Sequence, residues 1–145
     1  PGDTTRMAFW AGGVLLPTAV ATPTASNQAT TKAYVDAPAV PWTLITPANG
    51  WVNAGGADAP LGFRRSRDGI VNIRGTVKSG TIGTGTPVGT LPSGSRPAYG
   101  QNYSGCCSGS ASMRVKIDPS GAIMIIDLGG GSNSWADVGF TFGIG

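Results

Sequence analysis

A chain of 145 residues with 24 glycines, 11 prolines and 12% charged residues has room for one modest core and lacks the Glu, Lys, Leu and Ala repeats of long amphipathic helices. It contains neither histidine nor glutamate, so the commonest general acids and bases are missing and a serine or cysteine nucleophile has no imidazole partner. The formal charge of +3 comes from scattered cations except for Arg64, Arg65 and Arg67, and no aromatic ladder accompanies these, which argues against a nucleic-acid partner.

What remains is a series of short apolar runs separated by Gly, Pro, Asn and Ser, the pattern of strands joined by tight turns. The expected fold is all-β. It consists of an extended arm at 1–25, a short helix and linker at 26–40, and an antiparallel, jelly-roll-like β-sandwich over 41–145.

The arm reads superficially as a secretory signal: Arg6, the apolar run MAFWAGGVLL, then Pro17 and the small-residue ending TAVA. The run breaks at Pro17, short of the roughly 20 residues a bilayer crossing requires, so no membrane insertion is expected. We read the stretch as retained, its leading proline following removal of an initiator methionine. Met7, Phe9, Trp10, Val14, Leu15 and Leu16 would form an aggregation-prone patch if exposed, which predicts that they anchor on a partner surface or a neighbouring copy. An ordinary strand of the same domain's core is the alternative.

Next, Asn27 is a suitable N-cap, and Ala29, Ala33 and Tyr34 fall at helical spacing before Pro38 ends the run. A helix of two to three turns is marginal alone in water, so it should pack on something. Symmetry copies of itself would serve, Ala29 and Ala33 being small enough for close axial approach.

Two hairpins follow. Asp68-Gly69 predicts a two-residue type I′ turn between LGFRRSR and IVNIRGTVK, with Arg64, Arg65 and Arg67 on a solvated arm that blunts a strand edge. Gly75 marks a bulge or a close backbone approach. The second hairpin runs from MRVKI through Asp118-Pro-Ser-Gly121 to AIMII. Its first arm alternates Met113, Val115 and Ile117 with Arg114, Lys116 and Asp118, as a half-buried strand requires. The second arm is apolar on both faces, which predicts a central strand or a cover from another subunit. The closing ADVGFTFGIG alternates Val138, Phe140, Phe142 and Ile144 with Gly139, Thr141, Gly143 and Gly145, a core strand with a thin outer face.

Residues 79–90 and 99–112 read as Gly- and Ser-rich loops. Tyr99, Gln101, Asn102 and Tyr103 are candidate recognition residues, offering flat apolar faces beside donors and acceptors of the kind that suit sugars; a plain connection is the alternative. Cys106 and Cys107 are adjacent, too close to span a useful loop, and no histidine completes a metal set. Free thiols are expected, with a vicinal or intersubunit disulfide as the other possibility. Neither GTGTPVGT nor DLGGGSNS has the lysine or the following helix of a phosphate loop, so no cofactor and no metal are expected. Asp58, Asp118, Asp127 and Asp137 are the candidates for a glycosidase-like carboxylate pair. Asp118 is better read as a turn residue and Asp127 as the end of its strand.

The string ATTKAYVD at 29–36 resembles the A-T-x-K-A-Y-V-D element of tailed-bacteriophage fibre and tail proteins. TLPSGSRPA at 90–98 resembles the L-P-x-G-x-R-P segment of the C-terminal heads of such fibres. NGW at 49–51 and DGIVNIRGTV at 68–77 extend the likeness over roughly residues 26–98. Ser95 stands where many relatives carry an aromatic residue, and the C-terminus matches no motif.

The resemblance implies a virion-surface homotrimer, with Ala29, Lys32, Tyr34, Val35 and Asp36 at contacts between chains and Ala33 beside them. It further implies an arm bound to another virion protein, of capsid or tail, and a non-enzymatic head that attaches to a host-surface glycan. A capsid-decoration or head-fibre protein is the alternative, and a polysaccharide depolymerase a distant third.

Overall fold

The computed structural model describes residues 9–10, 13–14 and 39–144. The chain divides into two compact units, Pro1–Ala39 and Val40–Gly145. In the first, β1 (Phe9–Trp10) and β2 (Gly13–Val14) pair antiparallel, Phe9 opposite Val14 and Trp10 opposite Gly13. The other expected anchor residues, Met7, Leu15 and Leu16, lie outside the described residues. So do the expected helix and its contact residues Ala29, Lys32, Ala33, Tyr34, Val35 and Asp36.

The second unit is an antiparallel β-sandwich, with no helix among the described residues. Its smaller sheet has the order β13-β6-β5-β3, built from β3 (Thr43–Leu44), β5 (Gly62–Arg65), β6 (Ile70–Arg74) and β13 (Phe140–Gly143). The larger sheet has the order β4-β7-β12-β9-β10-β11-β8. Its strands are β4 (Val52–Asn53), β7 (Thr76–Lys78), β8 (Gly89–Thr90), β9 (Gln101–Ser108), β10 (Ala111–Ile117), β11 (Ala122–Asp127) and β12 (Ser132–Asp137).

Within the larger sheet, β9, β10 and β11 are joined by hairpins and β12 returns beside β9, the order of a Greek key. The return crosses at the glycine triplet. A Cβ on Gly129 would lie 2.3 Å from the Ser112 carbonyl, and one on Gly131 would lie 2.5 Å from that of Ser108, so only glycine lets the crossing chain press against the β9–β10 hairpin.

Both sheets contribute to a single core. Period-two alternation places Val71, Ile73, Phe140 and Phe142 of the small sheet against Val77, Met113, Val115, Ile117, Ile123 and Ile125 of the large one, all buried. β11 is apolar on both faces, as expected. Its inner face carries Ile123 and Ile125, while the buried Met124 on the outer face meets the 79–88 loop, where the Gly85 amide donates to its sulfur at 3.5 Å.

Two sequence expectations are corrected. The hairpin at 68–69 forms, but Asp68 keeps a negative φ and only Gly69 is left-handed (φ +82°). The Ser66 amide donates to Ile70 O and the Ser66 hydroxyl bonds the Asp68 carboxylate, so a side-chain-capped loop of three residues replaces type I′. Consecutive positive φ values occur instead at Gly109 (90°) and Ser110 (57°), in the β9–β10 turn. The second correction concerns 99–112: most of this expected loop is β9, an interior strand of the large sheet.

Candidate functional site

Of the candidate recognition residues, only Tyr99 lies in a connection, and it is 79% exposed. Gln101, Asn102 and Tyr103 belong to β9, which overturns their assignment to a loop. Asn102 points outward. Tyr103 faces the core and stacks on Phe140 with ring centroids 4.4 Å apart, and Phe140 stacks in turn on Phe142 at 6.2 Å. Its hydroxyl bonds the Gln101 side chain and the Thr141 carbonyl, and burial raises its phenol pKa. Gln101 and Tyr103 therefore close one end of the sandwich.

Cys106 and Cys107 are likewise on β9 rather than in a loop. Successive strand residues face opposite ways, so Cys106 is exposed while Cys107 is buried, and both are free thiols.

The arginine cluster is engaged with the protein itself. Arg64 of β5 and Arg74 of β6 cover one indole, Trp42, at 4.9 and 4.1 Å from the ring centroid, and so pin the chain entering β3 onto the outer face of the small sheet. Arg65 donates to the Gly94 carbonyl inside the LPSGSRP segment. In that segment Leu91, Ser95 and Pro97 are buried, Arg96 Nε donates to Leu91 O at 2.9 Å, and Leu91 N donates to Gly121 O at 3.0 Å. Its residues thus lock one turn against the Asp118–Gly121 turn.

Near this lock the sandwich is open. β3 and β8 are edge strands of their sheets, and between them runs a groove of about 580 Å³ lined by Thr43, Leu44, Phe63, Thr90, Pro92 and Arg96 among others. Leu44 is 66% exposed there.

Among the described aspartates, Asp68 and Asp118 sit in turns. The hydroxyls of Ser66 and Ser120, respectively, hold their carboxyls below the usual range. Asp127 ends β11 and accepts from Gly129 N at 2.9 Å. The fold brings the other two together. Asp58 and Asp137 line one pocket of about 380 Å³ with Thr76 and Trp135.

Backbone pairing explains that convergence. Asp137 of β12 is opposite Thr76 of β7. The 54–60 loop is clamped on Thr76 from both sides, Ala54 N donating to Thr76 O at 2.8 Å and Thr76 N to Ala59 O at 3.0 Å, which carries Asp58 to the same place. Trp135 precedes Asp137 by two residues and shares its face, within the register shift that separates Ser132 from Ala136 along β9. Sequence reasoning had Asp58 and Asp137 among the carboxylate candidates but missed Trp135; a lone indole in the polar run SNSWAD was the available signal.

No family model and no curated protein matches the chain. Among solved structures, the chain is similar to the receptor binding protein (gp15) of Listeria phage PSA, with a TM-score of 0.61 and 23% identity over 74% of this chain and 66% of that chain. The match thus takes in just under two thirds of that protein and, at this identity, describes a shared fold.

Proposed function

We propose that the chain is a bacteriophage virion protein, a short trimeric fibre or tail-tip adhesin whose N-terminal unit docks on the particle and whose sandwich binds a glycan on the host surface. The observation that carries this reading is the likeness of its fold to a phage receptor binding protein. The ATTKAYVD and LPSGSRP resemblances agree with it.

Trimerisation is supported by the open side of the sandwich. Two edge strands, β3 and β8, flank a groove with an exposed Leu44, a surface that calls for cover by another copy. Three heads on one fibre, and many fibres on one particle, turn weak contacts into firm attachment.

The proposed action is binding rather than catalysis. The chain has neither histidine nor glutamate, and Asp68, Asp118 and Asp127 are engaged in local hydrogen bonds.

Competition tests the reading. An excess of the purified full chain should block adsorption of the parent particle to its host and should sediment with host envelopes, and light scattering should give three times the chain mass. Unimpaired adsorption, with no envelope binding, would instead favour the capsid-decoration alternative.

A further inference from the structure

We infer that the pocket lined by Trp135, Asp58, Asp137 and Thr76 is a saccharide-binding site for a neutral or amino-bearing sugar unit, with Trp135 as its stacking platform. Its choice of ligand class rests on the adhesin reading above; its location rests on the geometry alone.

Of the three tryptophans whose side chains are described, two are committed elsewhere. Trp42 is covered by two guanidinium groups, and Trp51 is buried with its indole N–H donating to Thr81 O at 3.0 Å. Trp135 instead is 39% exposed, on the outer face of a sheet where Thr76 and Asp137 surround it. A partly open indole beside polar groups offers a flat apolar face, and the C–H face of a pyranose is a suitable cover for it.

The aspartates divide in the same way. Asp68, Asp118 and Asp127 hold turn or strand-end hydrogen bonds. The Asp58 and Asp137 carboxylates meet no donor or cation among the described residues, and both line this pocket. Carboxylate oxygens are hydrogen-bond acceptors suited to the vicinal hydroxyls of a sugar, and Thr76 adds a hydroxyl that donates or accepts. The volume, about 380 Å³, lies at the lower end of ligand sites, as a single sugar unit needs.

Charge selects within the class. The nearest cation along β7, Lys78, donates to the Ala54 carbonyl at 2.8 Å, and among the described residues no cation lines the pocket. An anionic sugar therefore meets two unneutralised carboxylates, whereas a neutral or amino sugar does not.

The test is a heteronuclear NMR titration of the full chain with methyl glycosides of glucose, galactose, rhamnose and N-acetylglucosamine, with glucosamine, and with glucuronate. At least one neutral or amino sugar should move the Trp135 indole resonance, and glucuronate should not. Asp58→Asn and Asp137→Asn should each weaken that binding about tenfold, Trp135→Ala should abolish it, and Trp135→Phe, which keeps a flat ring, should retain it. Asp58 and Asp137 are exposed, so thermal melts of their variants should be unchanged, and Trp135→Phe, which keeps most of the ring's packing, controls for the surface that Trp135→Ala removes.

Several results would overturn the assignment: no sugar moving Trp135, glucuronate binding as well as glucose, calcium chloride alone giving the only response, or new reducing ends appearing in a host polysaccharide. Envelope binding separates the two levels. Full-strength envelope binding by Trp135→Ala would move the receptor site elsewhere and leave the adhesin reading standing. A sugar response at Trp135 without envelope binding would uphold the pocket and remove that reading.

Discussion

The amide of Val138 donates to the carbonyl of Gly75 at 2.8 Å, tying together two of the points where the chain leaves one sheet for the other. β6 and β13 pair in the small sheet, β7 and β12 pair in the large one, and Gly75 and Val138 are the corners between them. Gly75 has φ +146°, and a Cβ there would lie 2.4 Å from Leu61 Cα and 2.6 Å from Leu61 N. Backbone atoms of a neighbouring segment cannot move aside as a side-chain tip can. Gly75→Ala should therefore cost at least about 3 kcal/mol in urea denaturation. Gly139→Ala, where nothing lies within 4 Å, should change stability by less than about 0.5 kcal/mol. Equal midpoints for the two would refute the corner argument.

Trp51 governs the loop over β11. It is 2% exposed, and Gly80 lies flat on its ring, where an added Cβ would come within 2.0 Å. Trp51→Ala removes both the ring and the hydrogen bond to Thr81 O, and should cost about 3–5 kcal/mol. Hydrogen exchange gives the local readout. The Gly83 amide, which donates to Ile125 O at 2.9 Å, should lose protection before the amides of β10 do. If both open together, the loop belongs to the main cooperative unit.

How much of this was legible follows from where each signal resides. The Asp118-Pro-Ser-Gly turn and the closing Val138, Phe140, Phe142 alternation were readable because turn chemistry and period-two burial are local. β9 was not. Its inward positions are Gln101, Tyr103, Gly105 and Cys107, and a glycine among them breaks the apolar pattern. The space at Gly105 is filled from the next strand, since a Cβ there would lie 2.6 Å from Met113 Cε and 2.8 Å from the Asp137 carbonyl. The hydrophobic side chain that belongs to that position is carried by β10, and no reading of QNYSGCCS alone supplies it. The same holds for the Trp135 pocket: Asp58 and Asp137 lie far apart in sequence, and they meet only because Thr76 pairs with Asp137 and the 54–60 loop is clamped on Thr76.

The adjacent thiols should behave as two different groups. Cys106 is exposed, while the Cys107 thiol is buried within 3.4 Å of the carbonyls of Ala111 and Leu128. A colourimetric thiol reagent should count one reactive group per native chain and two in denaturant, with mass mapping placing the first on Cys106. Labelling of Cys107 in the native state would show that β9 opens locally. A count of zero would reveal an oxidised pair.

Asp118 should carry part of the acid sensitivity of the fold. Its carboxylate accepts from the Ser120 hydroxyl, from Ser120 N at 2.9 Å and from Ala122 N at 3.3 Å, bracing the turn between β10 and β11. The Ser120 hydroxyl is the main reason its pKa lies below the ordinary carboxylate value, and Lys116 adds a smaller push in the same direction. A pKa depressed by folding means that the unfolded chain binds the proton more tightly. The contribution is therefore fully present above the unfolded carboxylate range and is lost as pH falls through the folded value. Because the group is largely solvated, the effect at neutral pH should be small, about 1 kcal/mol or less. Urea denaturation of wild type and Asp118→Asn across pH 7 to about pH 2 should give curves that separate at neutral pH and converge in acid. Asp68, held down in the same way by Ser66, is present in both proteins and cancels from the comparison. Curves that stay parallel to the lowest pH would mean that the carboxylate does not stabilise the turn through its charge.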